Sequence, residues 1–347
     1  MKIIKRKIAT LEKCYSIAPL RFNKQDCFLV AAEKNDRCIL FDADGNEIDT
    51  VWREPGGTMS IVQVPNSNGQ FLATQKFYSP NDSKEAKIVL VTPLASGQWE
   101  VETLIHLPHV HRFDILRRNG INYLFACTLK SGHEYKDDWS SPGKVYAAVL
   151  PQDLTKLASL ELKVIKDNLM KNHGYSRITK DDFDVALVAT ENGVFEFIPP
   201  ATEVKEWEVK MLLQKPTSDA MMIDIDGDGE LELFTIAPFH GENIDLYKRQ
   251  DHEYRQLYHY EKEADFAHAI CGGIISGQPM AIIGHRQGAR NLILFRYDKR
   301  RKEIVSEIID KGCGPANVYH YQKDGKDIII AANREIDEVA MYTVTST

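Results

Sequence analysis

Four short apolar segments follow one another in residues 220–263: AMMIDIDGDG (220–229), LELFTIAPFHG (231–241), NIDLYKRQD (243–251) and YRQLYHYEKE (254–263). Short apolar or alternating runs that end at turn residues are typical of β-strands, whereas an amphipathic helix needs a longer periodic segment. The stretch therefore predicts a unit of four strands in sequence.

The same unit recurs along the chain. Residues 269–312 repeat the order of four strands, and four further units precede residue 219. The last unit, residues 316–345, has only three strands, while one spare strand, KIIKRKIATLEK, occupies residues 2–13. A radial array of four-stranded sheets closes on itself and leaves only short, protected strand edges. We therefore expect the spare N-terminal strand to complete the last unit.

The sequence thus predicts an all-β protein, one seven-bladed β-propeller domain spanning residues 1–347, with its last blade closed by the N-terminal strand. The expected blades are 14–56, 57–110, 111–173, 174–218, 219–267, 268–314, and 315–347 together with 2–13. The alternative, a two-domain β-sandwich protein, explains neither the repeat nor the spare strand.

Composition and charge exclude several classes of binding partner and cellular location. The 347 residues carry a formal net charge of -7, which argues against a nucleic-acid groove or a polybasic membrane surface. No apolar run is long enough for a signal peptide or a membrane span. The six cysteines are scattered without a CxxC pair, which favours reduced thiols and a cytoplasmic protein.

Histidines concentrate where the predicted blades face the mouth of the central channel. In a propeller, the connections into the innermost strand and those after the second strand lie on this one face. Seven of the eleven histidines fall in these connections: His109, His111, His133, His173, His240, His268 and His285. IAPFHG (236–241) and IGHRQG (283–288) each place a histidine after an apolar strand, and we expect the two to be equivalent positions in neighbouring blades.

Neutral imidazoles are ligands for Zn, Mn, Fe or Ni, so the cluster predicts a divalent transition metal with positions open for a ligand. The candidate ligands are His111, His173, His240, His268 and His285. The alternative is that these are hydrogen-bonded loop histidines without a metal. His133 lies in a long insertion, residues 130–144, which is either a lid or a mobile loop.

Three other residues are candidates for chemistry at this face. Arg112 and Arg286 carry guanidinium groups that suit carboxylate or polyhydroxyl ligands, and the alternative for each is a salt bridge between blades. Tyr175 follows His173 closely and is a candidate for moving a proton next to a carbonyl.

An acidic loop, DIDGDGELEL (224–233), supplies Asp224, Asp226 and Asp228 in one turn and could bind Ca²⁺ in residues 224–230. It is not an EF-hand, because the twelfth position is Thr235 instead of glutamate. The loop resembles the D-x-D-G-D-G loop of FG-GAP or VCBS propeller repeats, which implies a structural calcium ion on the face away from the histidines. The alternative is an Asx-stabilised turn without an ion.

The chain looks like the propeller part of aldos-2-ulose dehydratase-like sugar lyases. The resemblance is carried by the rim sequences HVHRFDI, NHGYS, HAICGG and GHRQGARNLILF and by the segment from SDAMM to PFHG. That resemblance implies a histidine-bound metal that promotes water elimination or isomerisation on a ketosugar. The leading hypothesis is therefore a metal-dependent lyase or isomerase acting on a small, carbohydrate-like sugar or sugar acid. The alternative is a non-catalytic propeller that binds a protein or glycan on the same face. GxSxG, HExxH and Walker motifs are missing from the sequence.

Overall fold

The computed structural model describes residues 1–157 and 160–345, and they form seven antiparallel four-stranded sheets. Residues 158 and 159, which lie in the third predicted blade, and residues 346 and 347 fall outside the described part.

The first four blades use sixteen strands. Blade 1 contains β2 (Cys14–Phe22), β3 (Gln25–Ala32), β4 (Cys38–Asp42) and β5 (Glu47–Trp52), and blade 2 contains β6 (Ile61–Gln63), β7 (Phe71–Gln75), β8 (Lys87–Pro93) and β9 (Trp99–His106). Blade 3 contains β10 (Val110–Arg118), β11 (Ile121–Lys130), β12 (Pro142–Leu150) and β13 (Lys163–Leu169), and blade 4 contains β14 (Gly174–Lys180), β15 (Phe183–Thr190), β16 (Gly193–Ile198) and β17 (Glu208–Leu213).

The remaining strands form three blades. Blade 5 contains β18 (Asp219–Ile223), β19 (Glu232–Ala237), β20 (Asn243–Gln250) and β21 (Glu253–His259), and blade 6 contains β22 (Ala267–Ile275), β23 (Gln278–His285), β24 (Leu292–Asp298) and β25 (Glu303–Asp310). Blade 7 contains β26 (Asn317–Lys323), β27 (Lys326–Asn333), β28 (Glu338–Thr345) and β1 (Lys2–Thr10). Two short 3₁₀ helices, Leu154–Lys156 and Arg334–Ile336, complete the elements of the described chain.

The blades form a closed ring, as predicted. The first strands of neighbouring blades contact one another all the way round, from β2 to β6 and finally from β26 back to β2. The ring is closed by β1, which pairs antiparallel with β28 from Lys2 opposite Thr345 to Thr10 opposite Glu338. The all-β, seven-bladed fold and its N-terminal closure are therefore confirmed.

The core lies between the blades. In the described chain, six clusters of buried apolar side chains each join two adjacent sheets around the ring. The seventh joins blades 2 and 3 and also includes Tyr15 of blade 1 and Ala316 beside blade 7. Alternate residues of a middle strand serve different clusters: in β27, Ile328 and Ile330 pack toward blade 1, whereas Ile329 and Ala331 pack toward blade 6. A strand buried on both faces reads as a continuous apolar run, which explains the sequence of these strands.

Two global properties of the described chain accompany this fold. Among the described residues, no helix has the length and apolar character required to cross a membrane. The six cysteines are free thiols, and all but Cys271 are buried.

Candidate metal centre at the mouth of the channel

The inner strands of three consecutive blades deliver polar side chains to one end of the channel. His173 directly precedes β14, Asp219 is the first residue of β18, and His268 is the second residue of β22. His240 arrives differently, because it lies three residues after the end of β19 in a loop where its φ is +49°. The fold therefore gathers residues that are up to 95 positions apart in sequence.

Three imidazoles meet at this point. One ring nitrogen from each of His173, His240 and His268 lies within 4.8 Å of the other two. The Nε2 atoms of His173 and His240 are 3.2 Å apart. Two nitrogens bound to one zinc ion at about 2.1 Å in tetrahedral geometry are about 3.4 Å apart, so this pair already has the required spacing. The third histidine nitrogen needs a shift of at most roughly 1.4 Å to reach the same spacing.

His173 is oriented by a buried carboxylate. Its Nδ1–H donates to Asp219 Oδ2 at 3.0 Å, and the Ser218 carbonyl oxygen lies at 3.2 Å from the same nitrogen. Burial alone would raise the pKa of Asp219, but His173, Arg112 and the Ser218 hydroxyl hold it below its usual value. Since both Nδ1 partners are acceptors, the Nε2 atom of His173 keeps its lone pair for a ligand.

His268, like His173, carries its proton on Nδ1, but here the acceptor is a backbone carbonyl oxygen. Its Nδ1–H donates to the backbone carbonyl oxygen of Ala316 at 2.8 Å, which leaves the Nε2 lone pair facing the channel. The Tyr15 hydroxyl lies 3.0 Å from that Nε2, and burial raises the pKa of Tyr15 to about 12, so the hydroxyl is the donor. Burial also holds the pKa of His268 well below its usual value, and the imidazole is neutral.

His240 is held by aromatic rings. Its imidazole stacks on Phe239 at 4.0 Å and on Phe266 at 4.3 Å between ring centroids. The Arg286 guanidinium lies over the Phe266 ring, 4.7 Å from its centroid. Burial holds the pKa of His240 well below its usual value. A neutral imidazole placed by stacking can present Nε2 to the other two histidines.

The stack continues into the insertion of residues 130–144. Trp139 packs edge-on against Phe239, with 5.1 Å between centroids, and the Lys130 ammonium lies 4.3 Å from the Trp139 ring centroid. Lys130 also donates to the Asp138 carbonyl oxygen at 2.8 Å. The insertion thus contacts the loop that carries His240.

Two predicted ligands lie outside the group of three. The His111 ring is 4.6 Å from the His173 ring, and its Nδ1 lies 3.3 Å from the carbonyl oxygen of His173. His285 has both ring nitrogens occupied within its own loop, since Nδ1 donates to the Gln287 carbonyl oxygen at 2.9 Å and Nε2 accepts from the Asn291 amide at 3.0 Å.

The expected equivalence of His240 and His285 was wrong. His285 is the last residue of β23 and still pairs with Ala267, whereas His240 lies three residues past the end of β19. The additional residues carry His240 out of the sheet and over the channel, while His285 stays at the sheet edge and binds its own backbone.

Of the three residues predicted to contact a substrate, two are bound to carboxylates and one is partly unpaired. Arg286 is paired with Glu335, with 2.7 Å between Nη2 and Oε1, as in the salt-bridge alternative. The Tyr175 hydroxyl donates to Asp114 at 2.7 Å, and burial together with the Asp114 charge raises its pKa well above the usual value. Arg112 donates from Nη1 to the Met59 carbonyl oxygen at 2.8 Å, and its buried Nε has no partner.

A cavity of about 180 Å³ lies in the channel next to the histidines and is lined by residues from the inner strands of all seven blades. Arg112, Asp114, Tyr175, Asp219 and His268 contribute its polar lining. A larger cavity, of about 760 Å³, lies at the opposite face among the turns of blades 7 and 1, away from the histidines.

The acidic loop on that opposite face holds an internal cation. The Lys248 ammonium lies 2.5 Å from Asp226, 2.6 Å from Asp228 and 2.8 Å from the fully buried Glu232. Asp224 accepts backbone N–H groups from Gly227, Asp228 and Gly229, as in the Asx-turn alternative. Calcium binding here stays a prediction, and it requires displacement of Lys248.

The sequence placed Tyr15 and Asp219 on this rim, with Asp219 as a candidate carboxylate, but it gave neither a role beside the histidines and did not indicate the aromatic support of His240. The signal for the first two was their place at the start of an inner strand, the same place that His173 and His268 occupy. The signal for the rings was their proximity in sequence, since Phe239 directly precedes His240 and Phe266 comes two residues before His268.

Comparison with known proteins places the chain in a structural class. No family model matches the sequence, and no curated protein matches it. The chain is similar to the β-propeller domain of Cps50 (Swd1) from Myceliophteria thermophila, with a TM-score of 0.62, 11% identity, and coverage of 99% of this chain and 100% of that one. It is also similar to the Dos1 propeller, with a TM-score of 0.60, 10% identity, and coverage of 96% and 79%. At such identities the likeness concerns the propeller fold alone.

Proposed function

We propose that the protein is a ligand-binding β-propeller in which His173, His240 and His268 hold a divalent transition metal at the channel mouth. The metal is the point at which the ligand attaches. It takes the non-catalytic role from the alternative predicted from the sequence, a propeller that binds a protein or glycan on this face. The metal, Zn, Mn, Fe or Ni, comes from the lyase hypothesis, and the proposal combines the two.

One observation carries the proposal. Three imidazole nitrogens converge within 4.8 Å, and the opposite nitrogens of His173 and His268 are fixed by acceptors. A histidine ligand that donates its second N–H to a carboxylate or carbonyl is the usual arrangement in metal sites. Three protein ligands leave a coordination position open for a ligand from solution.

Catalysis on a small sugar or sugar acid is the second candidate, as in the sugar lyases that the sequence resembles. Its support is the Tyr15 hydroxyl beside His268 and the unpaired Nε of Arg112 in the adjoining cavity. A bound metal would polarise a carbonyl there. Binding ranks first because Tyr175 and Arg286 are already engaged by Asp114 and Glu335.

The test is the metal content of protein purified without a histidine tag, with matched alanine variants. We expect one equivalent of metal in the wild type and in His285→Ala, and strong loss of metal in His173→Ala and His268→Ala. Wild-type protein that stays metal-free after incubation with Zn²⁺, or equal metal in all variants, contradicts the proposal. Conversion of ketosugars by the metal-loaded protein, monitored by loss of the carbonyl, separates the second candidate from the first.

A further inference from the structure

One cation at the channel cavity, Arg112, has no direct ion-pair partner among the described residues, although its charge helps to hold the pKa of Asp219 below the usual value. Asp114 lies 3.4 Å from Arg177, and Asp219 accepts from His173. Arg112 lines the same cavity, and in the part of the chain that the structure describes it forms no ion pair. Its single hydrogen bond is to the Met59 carbonyl oxygen, and its buried Nε has none. A buried guanidinium nitrogen without a partner is costly, so a ligand that supplies an acceptor is favoured.

A second donor, Tyr15, lies outside the cavity lining but contacts His268, which is part of that lining. Tyr15 is 2% exposed, and its hydroxyl donates to Nε2 of His268. When that nitrogen gives its lone pair to a metal, the hydroxyl loses its acceptor, and a buried tyrosine hydroxyl needs another one. The Arg112 guanidinium carbon is 5.7 Å from the Tyr15 ring centroid, so the guanidinium lies beside the Tyr15 ring.

We propose that the cavity binds a small organic carboxylate that carries a hydroxyl or carbonyl oxygen on the neighbouring carbon. The carboxylate accepts from Arg112, and the neighbouring oxygen lies at the metal and accepts from Tyr15. The inference rests on the proposed metal centre for the second contact only. The excess positive charge of the metal and Arg112 selects an anion over a neutral polyol.

The size of the cavity limits the ligand. Its volume of about 180 Å³ corresponds to roughly six water molecules. Two- to four-carbon hydroxy or oxo acids match this space, whereas an oligosaccharide or a folded partner does not enter it.

The experiment is calorimetric titration of Zn²⁺-loaded protein with glycolate and with its uncharged analogue glycolamide. We expect glycolate to bind at least about 10-fold more tightly, because a charge-assisted bond to Arg112 is lost with the amide. Arg112→Gln keeps a donor for Met59 but loses the charge, and should weaken glycolate binding about 10-fold or more with unchanged metal content. Arg334→Gln, an arginine of the same face that is paired with Glu33, is the control and should leave binding unchanged.

A second variant covers the case in which Arg112→Gln does not fold. Tyr15→Phe removes only the hydroxyl and should weaken glycolate several-fold. Equal affinity for glycolate and glycolamide, or wild-type affinity in both variants, overturns the carboxylate site while the metal centre stands. If the protein binds no metal, the metal-free protein decides: glycolate binding that Arg112→Gln abolishes keeps the site, and no binding overturns it.

Discussion

Replacing Asp219 by asparagine tests the support of the metal centre. Asp219 Oδ2 accepts the Nδ1–H of His173 at 3.0 Å, and the two side chains are only 4% and 2% exposed. Asparagine preserves the shape and one acceptor oxygen but removes the charge that makes this hydrogen bond strong. Loss of such an outer partner typically weakens metal binding 10- to 100-fold, or by about 1.4 to 2.7 kcal/mol. We expect Asp219→Asn to fall in this range with an unchanged fold.

The assay is competition for Zn²⁺ between the protein and a chromophoric chelator at pH 7.5. The matched control is Asp327→Asn, because Asp327 makes the same kind of contact to His320, at 2.9 Å and with both side chains 9% exposed. The control should bind Zn²⁺ like the wild type. Equal Zn²⁺ affinities of wild type and Asp219→Asn, or an equal loss in the control, would show that Asp219 does not support the metal centre.

Three further predictions follow from other contacts. Phe266→Leu keeps an apolar volume but removes the ring stacked on His240, and it should weaken Zn²⁺ binding roughly 2- to 10-fold in the chelator assay; unchanged binding would contradict that role for the ring. Burial lowers the pKa of His109 to about 4 in the folded protein, so between pH 7 and pH 4 the unfolded chain binds the proton more readily than the folded one. In metal-free protein, His109 should therefore lower the free energy of unfolding by up to about 3 kcal/mol as the pH falls from 7 to 4. His109→Asn, which suits the local φ of +62°, should show a smaller fall in urea titrations at these pH values, and an identical fall would contradict the assignment. Lys248→Met leaves the acidic loop without its ammonium, so millimolar Ca²⁺ should raise the melting temperature of this variant and not that of the wild type; a rise in both would mean that Lys248 does not exclude the ion.

The fold was predictable because each middle strand is buried on both faces. Because both faces are buried, these strands are continuous apolar runs, such as residues 328–332. The turn residues between the runs mark the strand ends and so show the four-strand repeat. The closure was predictable because the last unit has only three strands and the N-terminus has one spare strand. Pairing the spare strand with the last unit completes a four-stranded blade and covers its exposed strand edge. Both signals are local in sequence and need no knowledge of side-chain contacts.

The sequence predicted which face of the propeller carries the site, but not which side chains meet there. Repeat register put His173, His240 and His268 on one face, but it could not separate His240 from His285, whose positions relative to the ends of their strands differ by three residues. That offset decides whether an imidazole reaches the channel or binds its own backbone. The pairing of Arg286 with Glu335 and of Tyr175 with Asp114 depends on side-chain geometry across blades, which a single sequence does not encode in any local pattern.

In the proposed centre, three histidines from blades 4, 5 and 6 bind one metal ion. The most direct test is a crystal structure of the untagged protein grown with Zn²⁺, with diffraction data collected on both sides of the zinc absorption edge. We expect one strong anomalous peak about 2.0–2.1 Å from Nε2 of His173, His240 and His268. A channel mouth without a peak, or a peak bound by other residues only, would contradict it.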